Sequence, residues 1–534
     1  MEIVSNLGLI YLSVFLLWAL ISRGVPVFQE LIHDMTDFFM EKALGPGADL
    51  FEGREGSGPV SWMMHGMLWF CIGATFSFIG LWMAHEPNAI SSLSSIGYGP
   101  SAATVAAVGK AALGGGLLML LIGAGLQING RLSGSGVASD TNAILVSWTF
   151  SLGLLMAFIA GHLGESDFAG ILDTIAAVLS FMPIVAVFAN HLLTIGNRGA
   201  NALQASQWLI IFGLGMMILA TVAEFFGCLG ATTLESLETT GILSAALAVA
   251  FYVVPTEAGV PLWSRSLAGA TVLLTFITLS PIGVAGAGSV TTGGAALLTV
   301  IYAASMIPIL AAAMNVFQTA RANWSAAAES PASSAVMLGM FMLVGAAIGS
   351  LFTGADAHSD GELSHLVTPM GLLFSGAISL IAIGGVMRCF PSASGRKLFS
   401  EESSRLTVWM IAGGTTLTFL FSLSAAMLNA AFDAAVAAND WDADLIDTGA
   451  VNELTTLASI AFYFVVIASI LMMLNMIRGV FNGAALGTDG PTGLAARGMA
   501  LTPGTTTIRQ LLSAGAGVDT EIDVVCDTCG DEEE

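Results

Sequence analysis

Residues 104–128 read TVAAVGKAALGGGLLMLLIGAGLQI, an apolar run interrupted by a single charge, Lys110. About 20 such residues suffice for a helix to cross the hydrocarbon core of a bilayer. Similar runs recur along all 534 residues, of which 55% are hydrophobic and 10% charged, whereas soluble domains carry about 25% charged residues. This composition excludes an ordinary soluble enzyme, a nucleic-acid-binding protein and a disordered chain. Because the runs do not alternate, it also excludes an outer-membrane barrel.

The apolar runs predict an all-α polytopic membrane protein with about thirteen transmembrane helices. The segment at 241–254 is short and is expected to start earlier. The first segment lacks the basic N-terminal region of a signal peptide and is therefore interpreted as a true span. The predicted segments are 6–23, 60–83, 104–128, 143–162, 170–197, 205–229, 241–254, 266–286, 294–317, 334–353, 370–390, 405–430 and 456–478.

The distribution of basic residues predicts the orientation. All of the 15 lysines and arginines except Lys110 lie at or in the connections that follow odd-numbered segments, or in the C-terminal tail. Under the positive-inside rule these connections are cytoplasmic, so the N-terminus is expected outside and the C-terminus inside the cell membrane. The lipid bilayer is thus one expected partner, and nucleic acid is not.

Acidic residues dominate the remaining polar sequence, with 38 carboxylates and a formal net charge of −23. We interpret this as an adaptation to concentrated salt. Two of the predicted outer loops, 356–362 and 433–453, hold nine of these carboxylates and indicate either a solvated face or a docking site for a cation or a cytochrome. Cys526 and Cys529 form one C-x-x-C pair, which suits zinc or redox chemistry only with further ligands, so a disordered acidic tail is the simpler interpretation.

Ionisable residues inside the predicted spans are the candidates for an ion or proton pathway, because a charge in the bilayer is costly. They are Lys110, Glu224 and Glu235. Lys110 could instead extend its ammonium group to the membrane surface. His65 stands in an aromatic and methionine-rich stretch, where it is a candidate axial haem ligand or an interfacial histidine bonded to the backbone.

The stretch FYVVPTEAGVPLWS, residues 251–264, resembles the loop YFVPKEAGRP after helix VI of subunit I in cbb-type cytochrome oxidases and nitric oxide reductases. Residues 197–208 are similar to the start of helix V of that family, and residues 164–169 to its short acidic loop before helix IV. The resemblance implies a twelve-helix core at 60–478, preceded by an added helix and loop at 1–59 and followed by a polar acidic tail at 479–534. Respiratory membrane subunits are the partners it implies.

The resemblance also implies six metal-binding histidines, and these are missing. The aligned positions hold Val105, Glu235, residues 280–286, Pro369 and Gly371. No His-His pair and no His-x-His occurs among the seven histidines. The family's copper centre is therefore not expected, and a haem would depend on His65 and His365.

Three interpretations remain at this stage. The first is an oxidase-like subunit without the metal centre, acting in a respiratory complex, in assembly or in proton or ion conduction. The second is an active terminal oxidase or nitric oxide reductase with non-standard ligands. The third is an unrelated secondary transporter, which would be expected to show an inverted repeat.

Overall fold

The computed structural model describes residues 55–96, 99–164, 166–198, 203–226, 231–278, 292–356, 363–439, 448–484 and 486. The predicted span at 6–23 and the tail with Cys526 and Cys529 lie outside these residues. The proposed divisions at 59 and 479 therefore stay predictions.

The described residues form twelve long helices and no strand. Two short 3-10 segments, Ser91–Ile96 and Ser364–Leu366, and one six-residue helix, Trp324–Glu329, lie in connections. The long helices are α1 Ser57–His85, α2 Ala102–Ser133, α3 Asp140–Leu163, α4 Asp167–Gly196, α5 Ala205–Phe225, α6 Ala231–Ala258, α7 Arg265–Thr278, α8 Thr292–Ala322, α9 Pro331–Asp356, α10 Val367–Ser394, α11 Glu401–Asn439 and α12 Gly449–Asn482.

The all-helical membrane fold predicted from the apolar runs is confirmed. Ten of the described helices are long and apolar enough to cross a bilayer, and α7 is a shorter apolar helix over its described length. Each of the twelve predicted segments from 60–83 onwards overlaps one of these helices, and the part of the segment 266–286 after residue 278 lies outside the described residues. The segment at 241–254 does start earlier, because α6 begins at Ala231.

The helix ends follow from local sequence signals. Ser101 and Ser166 are N-caps whose hydroxyl groups accept backbone N–H bonds of 3.1 Å from the third residue onward. Gly134 and Gly395 directly follow the last residues of α2 and α10, both with φ of 71°. That left-handed conformation carries little cost only for glycine.

One connection between helices is built in the same way three times. A serine caps the start of α3, α7 or α11, and its backbone N–H and C=O both bond to the side-chain amide of a buried asparagine near the end of α4, α8 or α12. The pairs are Ser139 with Asn190 (3.3 and 2.8 Å), Ser264 with Asn315 (3.0 and 2.9 Å), and Ser400 with Asn475 (2.8 and 2.9 Å). We call these pairs the serine–asparagine clamps.

Close helix crossings repeat in the same register. In α1, α5 and α9 a glycine lies so close to the next helix that an added Cβ would meet a backbone carbonyl oxygen there at 2.8–3.0 Å. The crossings are Gly66 with Gly116, Gly213 with Gly241, and Gly339 with Ala377. Each of these three carbonyl residues stands 23 positions before its clamp serine.

The fold is therefore three repeats of four helices: α1–α4, α5–α8 and α9–α12. Because each repeat has an even number of helices, all three run in the same direction. Their clamps lie at one end of the bundle, which we call the basic end because Arg131, Arg265 and Arg396 lie beside them. The repeats are parallel and not inverted.

Candidate functional site

The second helix of every repeat lies in the centre of the bundle, where α2, α6 and α10 contact one another. A Cβ placed on Gly385 would lie 2.8 Å from Cγ1 of Val249 and 3.4 Å from Cβ of Ala124. Each of these residues stands 15 positions before its clamp serine, so the three repeats contribute the same position. We call Ala124, Val249 and Gly385 the central apolar contact; only small apolar groups separate the three helices at this level.

A polar cluster lies about one helical turn closer to the basic end. The equivalent positions of the repeats hold Gln127, Tyr252 and Arg388, which are 6%, 2% and 8% exposed. Nε of Arg388 lies 3.1 Å from Oε1 of Glu257, at the end of α6. This ion pair joins α6 to α10. Its carboxylate partner, Glu257, belongs to the stretch 251–264 that carries the family resemblance.

A second set of bonds joins α2 to α10 at the same level. Nε2 of Gln127 donates to Oγ of Ser392 over 3.1 Å, and Arg131 donates to the Ser392 carbonyl oxygen over 2.9 Å. A cavity of about 410 Å³ opens beside these bonds and is lined by Glu55, Arg131 and Ser394 among others. The basic end of the core is thus polar and hydrogen-bonded, whereas the central contact above it is apolar.

The candidate pathway residues lie in the half of the bundle away from the basic end. Lys110 is exposed and has no hydrogen bond or ion pair with another described residue. Glu235 is at the equivalent position of α6, since both residues stand 29 positions before their clamp serines. Glu224 is in the last turn of α5. The side chains of Glu224 and Glu235 lie outside the described part of the chain.

The two candidate haem ligands are not brought together. His65 lies between α1 and α3, where its ring contacts Trp148 edge-on at 4.7 Å and its Nδ1 is 3.0 Å from the Ser61 carbonyl oxygen. It stands about 12 Å, or eight residues, from the end of α1 at the basic end. His365 is half-buried in a 3-10 turn before α10, at the opposite end of the bundle. One iron cannot be bound by both.

The residues at the centre do not supply the donor set of a haem–copper centre. None of the seven histidines stands on α2, α6, α7 or α10. In the described part of the chain, no group of three or more His, Cys, Asp or Glu residues is placed to hold a metal ion. Imidazole nitrogens are the ligands that haem iron and copper need in such a site.

Solved structures identify the architecture. A cryo-electron microscopy structure of a haem-copper terminal oxidase dimer is similar to this chain with a TM-score of 0.62 and 10% identity, over 84% of this chain and 92% of that chain. The chain has the fold of a haem-copper oxidase. No model of a protein family and no curated protein sequence matches it. The predicted oxidase-like fold is thereby confirmed; the superfamily and the cbb-type subfamily stay predictions.

The oxidase fold contains features that the sequence interpretation missed. The serine–asparagine clamps were one, although Ser139 and Asn190 are separated by the same 51 positions as Ser264 and Asn315. The third pair is 75 positions apart because α11 and α12 are longer, so no fixed period is visible. A buried polar group around His191 was the other.

Proposed function

We propose that this chain is a membrane subunit that keeps the oxidase scaffold without a haem–copper centre and acts within a respiratory-type membrane complex. The central apolar contact carries the proposal. At the level where α2, α6 and α10 meet, the repeats present Ala124, Val249 and Gly385, and these helices hold no histidine. The scaffold is kept while the groups for oxygen or nitric oxide chemistry are missing.

The location follows the same reasoning. The long apolar helices make the chain a multi-pass membrane protein. The basic residues at one end favour a cytoplasmic basic end in the cell membrane, with lipids and other membrane subunits as partners. The acidic loops at the opposite end then face outward, where concentrated salt would screen their mutual repulsion.

The alternative is an active oxidase or nitric oxide reductase with unusual ligands. Purified protein in liposomes, supplied with reduced electron donors, would consume oxygen or nitric oxide under that alternative. We expect no consumption above protein-free liposomes while the protein stays folded. Turnover that scales with the amount of protein would contradict the proposed function.

Ion movement is a second candidate, because two ionisable residues of opposite charge, Lys110 and Glu235, occupy equivalent positions on two central helices. If this candidate holds, Lys110→Met abolishes proton or ion flux into liposomes. Lys397→Met is the matched control, since Lys397 is an exposed lysine at the basic end. Equal flux in wild type and in both variants would remove Lys110 from any pathway.

A further inference from the structure

A buried polar group connects α2, α4 and α5 near the basic end. Nδ2 of Asn129 donates to both Nδ1 and the carbonyl oxygen of His191, each over 3.1 Å. Nε2 of Gln207 donates to Oδ1 of Asn129 over 2.8 Å and to Oγ of Ser133 over 3.1 Å. The three long side chains are at most 1% exposed. We call Asn129, His191 and Gln207 the histidine cluster.

The other repeats show that packing does not require these polar groups. Equivalent positions follow from counting along the chain: Asn129 stands ten residues before its clamp serine, His191 one residue after its clamp asparagine, and Gln207 six residues before its crossing glycine. All six residues at the corresponding positions of the other repeats are buried. We call the contact of the first repeat with the second the first junction, that of the second with the third the second junction, and that of the third with the first the third junction. The equivalent residues are Val254, Val316 and Ser333 at the second junction, and Phe390, Met476 and Val60 at the third. Burying amides and an imidazole costs free energy that apolar side chains avoid. The polar cluster at the first junction therefore needs a reason other than the fold.

The bonds determine which histidine nitrogen carries the proton. At one end, the backbone N–H of Gln204 donates to Oε1 of Gln207, so the Gln207 amide nitrogen points to Asn129. At the other end, the His191 carbonyl oxygen can only accept, so the Asn129 amide nitrogen points to His191. Nδ1 of His191 is consequently an acceptor, and the ring proton is on Nε2.

That Nε2–H group is buried and has no hydrogen-bond partner among the described residues. Leaving such a donor unsatisfied costs about 1–3 kcal/mol. Oε1 of Gln204 and Oγ of Ser206, on the segment that leads into Gln207, are likewise buried without a partner. Unsatisfied donors and acceptors on adjoining elements are the usual setting of an internal water molecule.

We propose that the histidine cluster is an internal water-binding site, in which Nε2–H of His191 donates to a bound water molecule. Asn129 stands one turn before the end of α2 at Ser133, so the site is within about 6 Å of the basic end. The site lies on the basic-end side of the central apolar contact. At the positions equivalent to His191, the second and third junctions hold Val316 and Met476, which carry no side-chain N–H donor.

The test is a cryo-electron microscopy map of the full chain in lipid nanodiscs, at a resolution that shows ordered water. We expect a density peak about 2.7–3.2 Å from Nε2 of His191 and none beside Val316 or Met476. A map that shows water elsewhere but none at Nε2 would overturn the proposal. So would a direct bond from Nε2 to a protein atom.

Copying the second junction into the first provides the matched variant. The triple change Asn129→Val, His191→Val and Gln207→Ser is expected to fold, because Val254, Val316 and Ser333 already pack in this arrangement, and to lose the water peak. A peak that persists in the folded triple variant would show that His191 does not bind the water. If the variant fails to fold, the wild-type map alone decides.

Discussion

Asn315 holds both backbone polar groups of Ser264, accepting from its N–H at 3.0 Å and donating to its carbonyl oxygen at 2.9 Å. Ser264 at the same time caps α7 by accepting the N–H of Leu267 at 3.2 Å. One buried side chain therefore determines where one helix starts relative to the end of the next. The same clamp in all three repeats makes it the unit that positions the oxidase-like scaffold.

Removing one clamp should destabilise the protein. Asn315→Ala deletes two hydrogen bonds and leaves two backbone groups of Ser264 without that partner, so we expect the unfolding free energy to fall by about 2–4 kcal/mol. Thermal unfolding in detergent measures the loss. Asn429→Ala is the control, because Asn429 is exposed and its side chain donates to Asp433 four residues away on the same helix. Equal stability of the two variants would show that the clamp is dispensable.

Gly114 and Gly116 stand two residues apart in α2 and provide a matched test of how closely α1 and α2 pack. A Cβ at Gly116 would lie 2.8 Å from the Trp69 carbonyl carbon, whereas one at Gly114 meets nothing within 4 Å. Gly116→Ala should therefore cost about 1–3 kcal/mol. Gly114→Ala should be neutral or stabilising by up to about 1 kcal/mol. The unfolding temperatures of the two variants make the comparison, and a reversed order would mean that α1 and α2 do not cross at Gly116.

The buried ion pair between Arg388 and Glu257 should be sensitive to the loss of one partner. Glu257→Gln leaves a guanidinium group that is 8% exposed without its carboxylate, and we expect a loss of about 3–5 kcal/mol. The double variant Glu257→Gln with Arg388→Met should recover part of that loss, because the uncompensated charge is removed. A full additive loss in the double variant would contradict a direct ion pair.

The pair of Arg405 and Glu401 is the matched control, since these side chains are 53% and 65% exposed. Solvent screens such a pair, so Glu401→Gln should change the unfolding free energy by less than about 1 kcal/mol.

Orientation can be measured with single cysteines in a background where the native cysteines are replaced. Ser92→Cys lies in the α1–α2 connection and Ser135→Cys in the α2–α3 connection, and both positions are exposed. A membrane-impermeant thiol reagent applied to intact cells should label residue 92 and not residue 135. The opposite pattern would reverse the predicted orientation.

The helices were predictable because a bilayer imposes a strong length and composition requirement on each span. The loop at residues 251–264 carried enough of the oxidase pattern to predict the oxidase-like fold. The repeats were not predictable from composition, since they share only isolated serines, asparagines and glycines at matching depths. Those residues acquire meaning only when Gly66, Gly213 and Gly339 are seen to make the same crossing.

The candidate site was harder to predict for a different reason. Lys110 and His65 were selected for residue type, yet the structure shows that Lys110 is exposed and that His65 packs against Trp148 of α3. Whether either residue functions stays a prediction. His191 was not among the candidate residues, yet it is fully buried and bonded to Asn129 across a helix interface that single-sequence spacing does not reveal.

The most direct test of the central claim is a pyridine haemochrome assay on detergent-purified, folded protein, with copper determined on the same sample. We expect neither haem nor copper above the level of a protein-free preparation. Two haems and one copper per chain would contradict the account, because α2, α6, α7 and α10 hold no histidine to bind them.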